Sequence, residues 1–64
     1  MSKDDRLLTS REFAEFARLN RDTPAVWRCR GEGPPYCKFN GRIVRYRMRD
    51  VLAWMDSQTI KPKD

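Results

Sequence analysis

The sequence predicts a small α+β domain, mostly α: two short N-terminal helices, a two-stranded β-hairpin and a C-terminal helix. Three observations predict it. A helix-start signature lies at LTSREF, residues 8–13. An Asn-Gly pair, Asn40-Gly41, separates the strand-like runs YCKF and RIVRY. An apolar stripe at helical spacing follows Asp50. The chain has 64 residues, enough for one domain with a small core, because a chain of this size buries only about 60% of its unfolded surface. The expected organisation is a flexible N-terminus over 1–6, one domain over 7–56 and a flexible tail over 57–64.

The first helix starts after Thr9. Thr9 is a good N-cap, and Glu12 three residues later completes a capping box. Leu8 before the cap and Phe13 at the fourth helical position have the spacing of a hydrophobic staple. Phe13, Phe16 and Ala17 then form an apolar stripe at 3.6-residue spacing, so both phenylalanines are expected in the core.

LNRDTP interrupts that helix. Asn20, Asp22 and Thr23 are all possible caps, and Pro24, which lacks an N–H and clashes with a preceding turn, fits at the first helical position after Thr23. A second helix is expected from Asp22 or Thr23 to Arg30, stopping at Gly31. Two short helices joined by a tight turn make a helix-turn-helix. At about 100° per residue, Thr23, Trp27 and Arg30 share one side, with Trp27 as core anchor and Pro24 at the edge. Ala25 and Cys29 lie opposite, with Arg28 beside them and Arg21 continuing that face from the turn. This second face is small and basic.

Gly31 and Gly33 turn the chain, and Pro34 and Pro35 keep it extended. Asn-Gly between strand-like runs favours a type I′ turn, whose two central residues both need positive φ. A two-residue turn sets Phe39 opposite Arg42 and Cys37 opposite Val44. One face of the hairpin then carries Cys37, Phe39, Val44 and Tyr46 and is expected to pack on the helices. The other carries Tyr36, Lys38, Ile43, Arg45 and Arg47, with Arg42 at the tip, and suits a phosphate backbone or a minor groove. The last helix is expected from Arg49-Asp50, with Met48, Val51, Leu52, Trp54 and Met55 inward and the pattern fading after Asp56.

Charge follows the same division. The net charge is +5, but residues 18–49 hold nine basic and two acidic side chains, net +7, and each flank is −1. Such a block attracts polyanions. Enzymatic chemistry is not expected: there is no histidine, no carboxylate pair at an acid–base spacing and no phosphate-binding loop. Cys29 and Cys37 are too few and too far apart for a zinc site, and no cofactor is implied. No apolar run reaches the ~20 residues a membrane span requires, and no signal peptide is evident, so a soluble cytoplasmic protein with reduced thiols is expected.

The ordered set LTSREFA, Trp27, RGEGPPY at 30–36, Asn40-Gly41-Arg42, Val44-Arg45-Tyr46-Arg47 and Asp50-Val51 with Trp54 resembles the excisionase-type (AlpA-like) family of small winged helix-turn-helix DNA-binding proteins of phages and mobile elements. That family is related in fold to the DNA-binding domains of mercury-resistance-type regulators. The resemblance implies that the second helix enters the major groove and that the hairpin is a wing. It implies several copies side by side on repeated sites, DNA bending and an integrase as partner; related members regulate promoters. The DNA-binding residues it implies are Arg21, Ala25 and Arg28 on the helix side and Arg42, Arg45 and Arg47 on the wing, to which the basic face of the hairpin adds Lys38. Three positions depart from the family's pattern: Arg18 replaces the glycine of the turn, Pro24 replaces an aliphatic residue, and Arg49 replaces a Ser/Thr cap. The alternatives are a transcriptional regulator without a recombination role and, in another class, a basic protein-interaction module.

Overall fold

The computed structural model describes residues 6–62. The elements run β1 (Leu7–Leu8), α1 (Ser10–Phe16), α2 (Thr23–Arg30), β2 (Cys37–Phe39), β3 (Ile43–Arg47) and α3 (Met48–Ser57). This is the expected α+β winged helix-turn-helix, with one strand more than expected. β1 pairs antiparallel with β3, Leu7 opposite Arg47 and Leu8 opposite Tyr46, so the sheet order is β1-β3-β2. A two-residue strand has no periodicity to betray it, which is why the staple residue Leu8 was legible and its strand was not. The loose N-terminus expected over 1–6 lies outside the described residues except at Arg6, whose carbonyl accepts from the Met48 N–H at 2.8 Å. Of the expected tail, Ser57 closes α3 and Lys63 and Asp64 lie outside the described residues.

The capping box of α1 is complete. Thr9 Oγ1 accepts from the Glu12 N–H at 3.0 Å, and Glu12 Oε1 accepts from the Thr9 N–H at 2.9 Å. α1 and α2 end alike. At the end of α1 the Leu19 N–H reaches Ala14 O at 2.7 Å and the Arg18 N–H reaches Glu15 O at 3.2 Å; at the end of α2 the Glu32 N–H reaches Trp27 O at 2.7 Å and the Gly31 N–H reaches Arg28 O at 3.2 Å. Both are Schellman closures, which need a left-handed residue. Gly31 supplies it at φ 71° and Arg18 at φ 56°, so Arg18 adopts a conformation that favours glycine. Asn20 then turns the chain, its Oδ1 accepting from the Asp22 N–H at 3.0 Å.

The core is an aromatic cluster around Phe13. Leu8, Phe13, Tyr46, Met48 and Val51 are buried, and Ala17, Leu19, Trp27, Val44 and Trp54 pack against them. Ring centroids lie 4.6 Å apart for Phe13–Tyr46, 6.1 Å for Phe13–Trp54 and 5.4 Å for Trp27–Trp54, in tilted and edge-on arrangements that aromatic quadrupoles favour. Gly33, at φ 87°, lies against Trp27; a Cβ there would be 3.0 Å from the indole.

Several expected orientations are corrected. Phe16 is 44% exposed, because the inward face of α1 is centred between Phe13 and Ala14. In α2 it is Pro24 that is fully buried, so the helix is turned by a fraction of a residue from the expected setting. Pro24 occupies the second helical position rather than the first, because the N-cap is Asp22 and not Thr23, and its ring is buried. In α3, which starts at Met48 with Arg47 as N-cap, Met48, Val51 and Trp54 face in while Leu52 and Met55 flank them exposed. The hairpin register is shifted by one. Asn40 (φ 53°) and Gly41 (φ 72°) form the expected turn, closed by the Arg42 N–H on Phe39 O at 3.1 Å. Pairing resumes only at Ile43, which faces Phe39, so Arg42 is an extra unpaired residue. A one-residue slip moves a strand's side chains to the other face. Val44 and Tyr46 pack inward as expected, but Lys38 now shares their face, and Cys37 and Phe39 lie outward with Ile43, Arg45 and Arg47.

Candidate nucleic-acid interface

The basic residues fall on two surfaces. On the helix side, Arg21 projects from the inter-helix turn, its Nε 4.0 Å from Asp22. An ion pair this long between exposed groups holds neither side chain. Ala25 is exposed on the outward face of α2, as the sequence led one to expect. Val26, Cys29 and Arg30 complete that face, and Arg30 Nη1 lies 3.9 Å from Glu32. Sequence reasoning set Arg30 on the inner side and passed over Val26. The buried prolyl ring of Pro24, read as the centre of the inner face, was the signal that would have found both.

Arg28 does not lie on the outward face. It is half-buried, and its Nη1 donates to Ser10 Oγ at 2.9 Å and to Tyr46 Oη at 3.0 Å. Its guanidinium lies 5.7 Å from the centroid of the Tyr36 ring, within the range of a cation–π contact. One side chain thus joins the first turn of α1, the middle of α2, strand β3 and the loop before β2. The physical reason is Tyr46: its ring is buried against Phe13, so its hydroxyl needs a partner, and Arg28 supplies it.

On the hairpin side, Arg45 and Arg47 share the outer face with Cys37, Phe39 and Ile43. Arg45 is half-buried and its Nη1 donates to the Val44 carbonyl at 2.7 Å. Arg47 Nη1 is 4.0 Å from Asp50 in the first turn of α3. Arg42 is exposed beside the turn, and Lys38 is exposed on the opposite face of the ribbon. The seven candidate residues are therefore not one patch. Arg21 and Ala25 belong to the helix surface; Lys38, Arg42, Arg45 and Arg47 belong to the hairpin; Arg28 ties the two together.

The carboxyl of Glu12 is held low. The Thr9 backbone N–H foremost holds it below the usual carboxylate range, against a desolvation cost second in size, with the Thr9 hydroxyl and the charges of Arg6 and Arg45 adding to the lowering. The field of Arg45 thus reaches the capping box of α1.

Among the described residues, no helix is long and apolar enough to cross a membrane. Neither a curated protein nor a solved structure matches the chain. A family model described as a helix-turn-helix domain matches residues 7–59, from β1 to just beyond α3. The match covers both helices of the turn motif, the hairpin and the C-terminal helix, and it supports sequence-specific binding of DNA. The chain belongs to this helix-turn-helix domain family.

Proposed function

We propose that this chain binds duplex DNA as an excisionase-type factor: copies lie side by side on repeated sites, bend the DNA and direct an integrase toward excision. The observation that carries the reading is the charge distribution. From Gly33 through Arg49 the sequence has five cations and no carboxylate, and most of that segment is an exposed hairpin. In this reading the outward face of α2, from Arg21 through Ala25 and Val26 to Arg30, meets the major groove. Lys38, Arg42, Arg45 and Arg47 neutralise phosphates. Arg28 acts as a positioning residue that sets the hairpin against the helix. Replacing one phosphate-contacting arginine weakens all sequences alike and lowers the salt slope by about one.

Selection of bound duplexes from a random pool at near-physiological salt tests the reading. Enrichment of direct repeats spaced by about one helical turn, ~10 bp, is the expected result. Inverted repeats would instead identify a dimeric promoter regulator. Failure to enrich any sequence would remove specific DNA recognition, and an acidic protein partner would become the better account of the hairpin.

A further inference from the structure

The one-residue shift in register leaves an apolar pair where none was expected. Phe39 and Ile43 face each other directly across the strands, beside the turn and on the outer face of the sheet. They are 46% and 43% exposed. They belong to no part of the buried cluster, which the hairpin reaches through Val44 and Tyr46. Their chain neighbours are Lys38 and Arg42, and Arg45 follows Ile43 on the same face. The turn ahead of them stands in open space: a Cβ at Gly41 would meet nothing within 4 Å.

We propose that the Phe39–Ile43 pair is an apolar wedge that enters the minor groove of duplex DNA and unstacks one base step. The inference rests on the DNA-binding reading above and assigns the hairpin tip a role that phosphate contacts do not supply. Two half-exposed apolar side chains gain nothing from a phosphate, whereas the faces of an opened base step are apolar. The surrounding cations, with no carboxylate between Gly33 and Arg49, select a polyanion as the occupant. The minor groove is about 6 Å wide, so the turn can lead but the pair behind it fits only if the groove opens. Apolar side chains inserted at a base step open it and kink the duplex by about 20–90° toward the major groove. Pyrimidine–purine steps, which unstack most easily, are the expected target.

The test uses the full chain and a duplex enriched in the selection described above, with 2-aminopurine placed in turn at each pyrimidine–purine step and end labels to report bending. Wild type should raise 2-aminopurine fluorescence at one step and bring the labelled ends closer. Phe39→Ala should lose both signals and weaken binding about tenfold, as expected for losing one base stack. Its salt slope should stay unchanged, because no cation is removed. Phe39→Leu should keep the unstacking signal, since leucine also serves as a wedge. Ile43→Ala is the second variant, and thermal melts verify that each variant is folded. The wedge is overturned if wild type binds with no step unstacked, or if folded Phe39→Ala and Ile43→Ala unstack as wild type does. It is also overturned if the variants weaken binding only on tandem sites, which would make the pair a contact between neighbouring copies. Wild type that binds no duplex at all overturns the DNA reading itself.

Discussion

Arg18 and Arg28 carry the most information at the scale of the residue. Arg18 holds a left-handed conformation at φ 56° that costs an L-residue about 1 kcal/mol or more, in a closure where Gly31 does the same work without strain. Arg18→Gly releases that strain but loosens the unfolded chain by a comparable amount, so stability should change by less than about 0.5 kcal/mol. Gly31→Ala introduces the strain and should cost about 1 kcal/mol. Urea unfolding of the pair checks this; an Arg18→Gly cost equal to that of Gly31→Ala would contradict the account. Arg28 bonds Ser10 and Tyr46, and Tyr46 is buried. Arg28→Met removes the donor and keeps the bulk, and should lower stability by about 1–3 kcal/mol. A surface arginine that only contacted DNA would cost nothing in the same unfolding experiment.

Two elements make predictions of their own. The capping box of α1 titrates through Glu12, whose folded carboxyl lies below the ordinary range chiefly because the Thr9 N–H donates to it. A lowered folded pKa means that this stabilisation is present above the unfolded value and is lost as pH falls through the folded one. The wild-type melting temperature should therefore fall more on acidification below the ordinary carboxylate range than that of Glu12→Gln, which keeps the box but cannot titrate. Equal pH profiles would contradict it. In the hairpin, Arg42 is the extra residue between a complete Asn40-Gly41 turn and the Phe39–Ile43 pair. Deleting Arg42 should let the two-residue turn close directly on that pair, with Phe39 still opposite Ile43. Cross-strand nuclear Overhauser contacts check the register; a return to Phe39 paired with the residue before Ile43 is impossible in the shortened chain, so loss of pairing is the contrary result.

The molecule as a whole depends on one cluster. With 64 residues its stability is about 3–10 kcal/mol at the usual 0.05–0.15 kcal/mol per residue. Phe13 touches the elements on every side, with aromatic partners from α2, β3 and α3. Phe13→Ala removes a fully buried ring and should cost about 3–5 kcal/mol, a large share of that total, and lower the melting temperature accordingly. Far-ultraviolet circular dichroism reads the loss directly; a cooperative melt near the wild-type temperature would show that the cluster does not carry the fold. The same economy explains Arg28. In a chain with so little core, one side chain that spans α1, α2, β3 and the loop before β2 orients the hairpin relative to the helices.

What the amino-acid order determined by itself is what acts within a few residues. The Thr9–Glu12 box, the stop at Gly31 and the Asn40-Gly41 turn follow from local geometry and are where they were expected, and the last helix is present but begins at Met48, one residue before Arg49-Asp50. The charge block needed only counting. What the tertiary structure decided is rotation and register. Whether α2 buries Trp27 or Pro24 most deeply, and so whether Arg28 faces solvent or Tyr46, depends on how its neighbours pack. Whether Phe39 pairs with Arg42 or Ile43 is a choice of one residue that local preference leaves open, because both strands alternate acceptably either way. Leu8 on β1 and the buried Tyr46 fix which face of β3 turns inward, and in the register adopted it is Lys38, not Cys37 and Phe39, that shares this face. Phe39 is left outside at the tip of the hairpin by that register, which a pairing between strands sets and no residue preference in the turn determines.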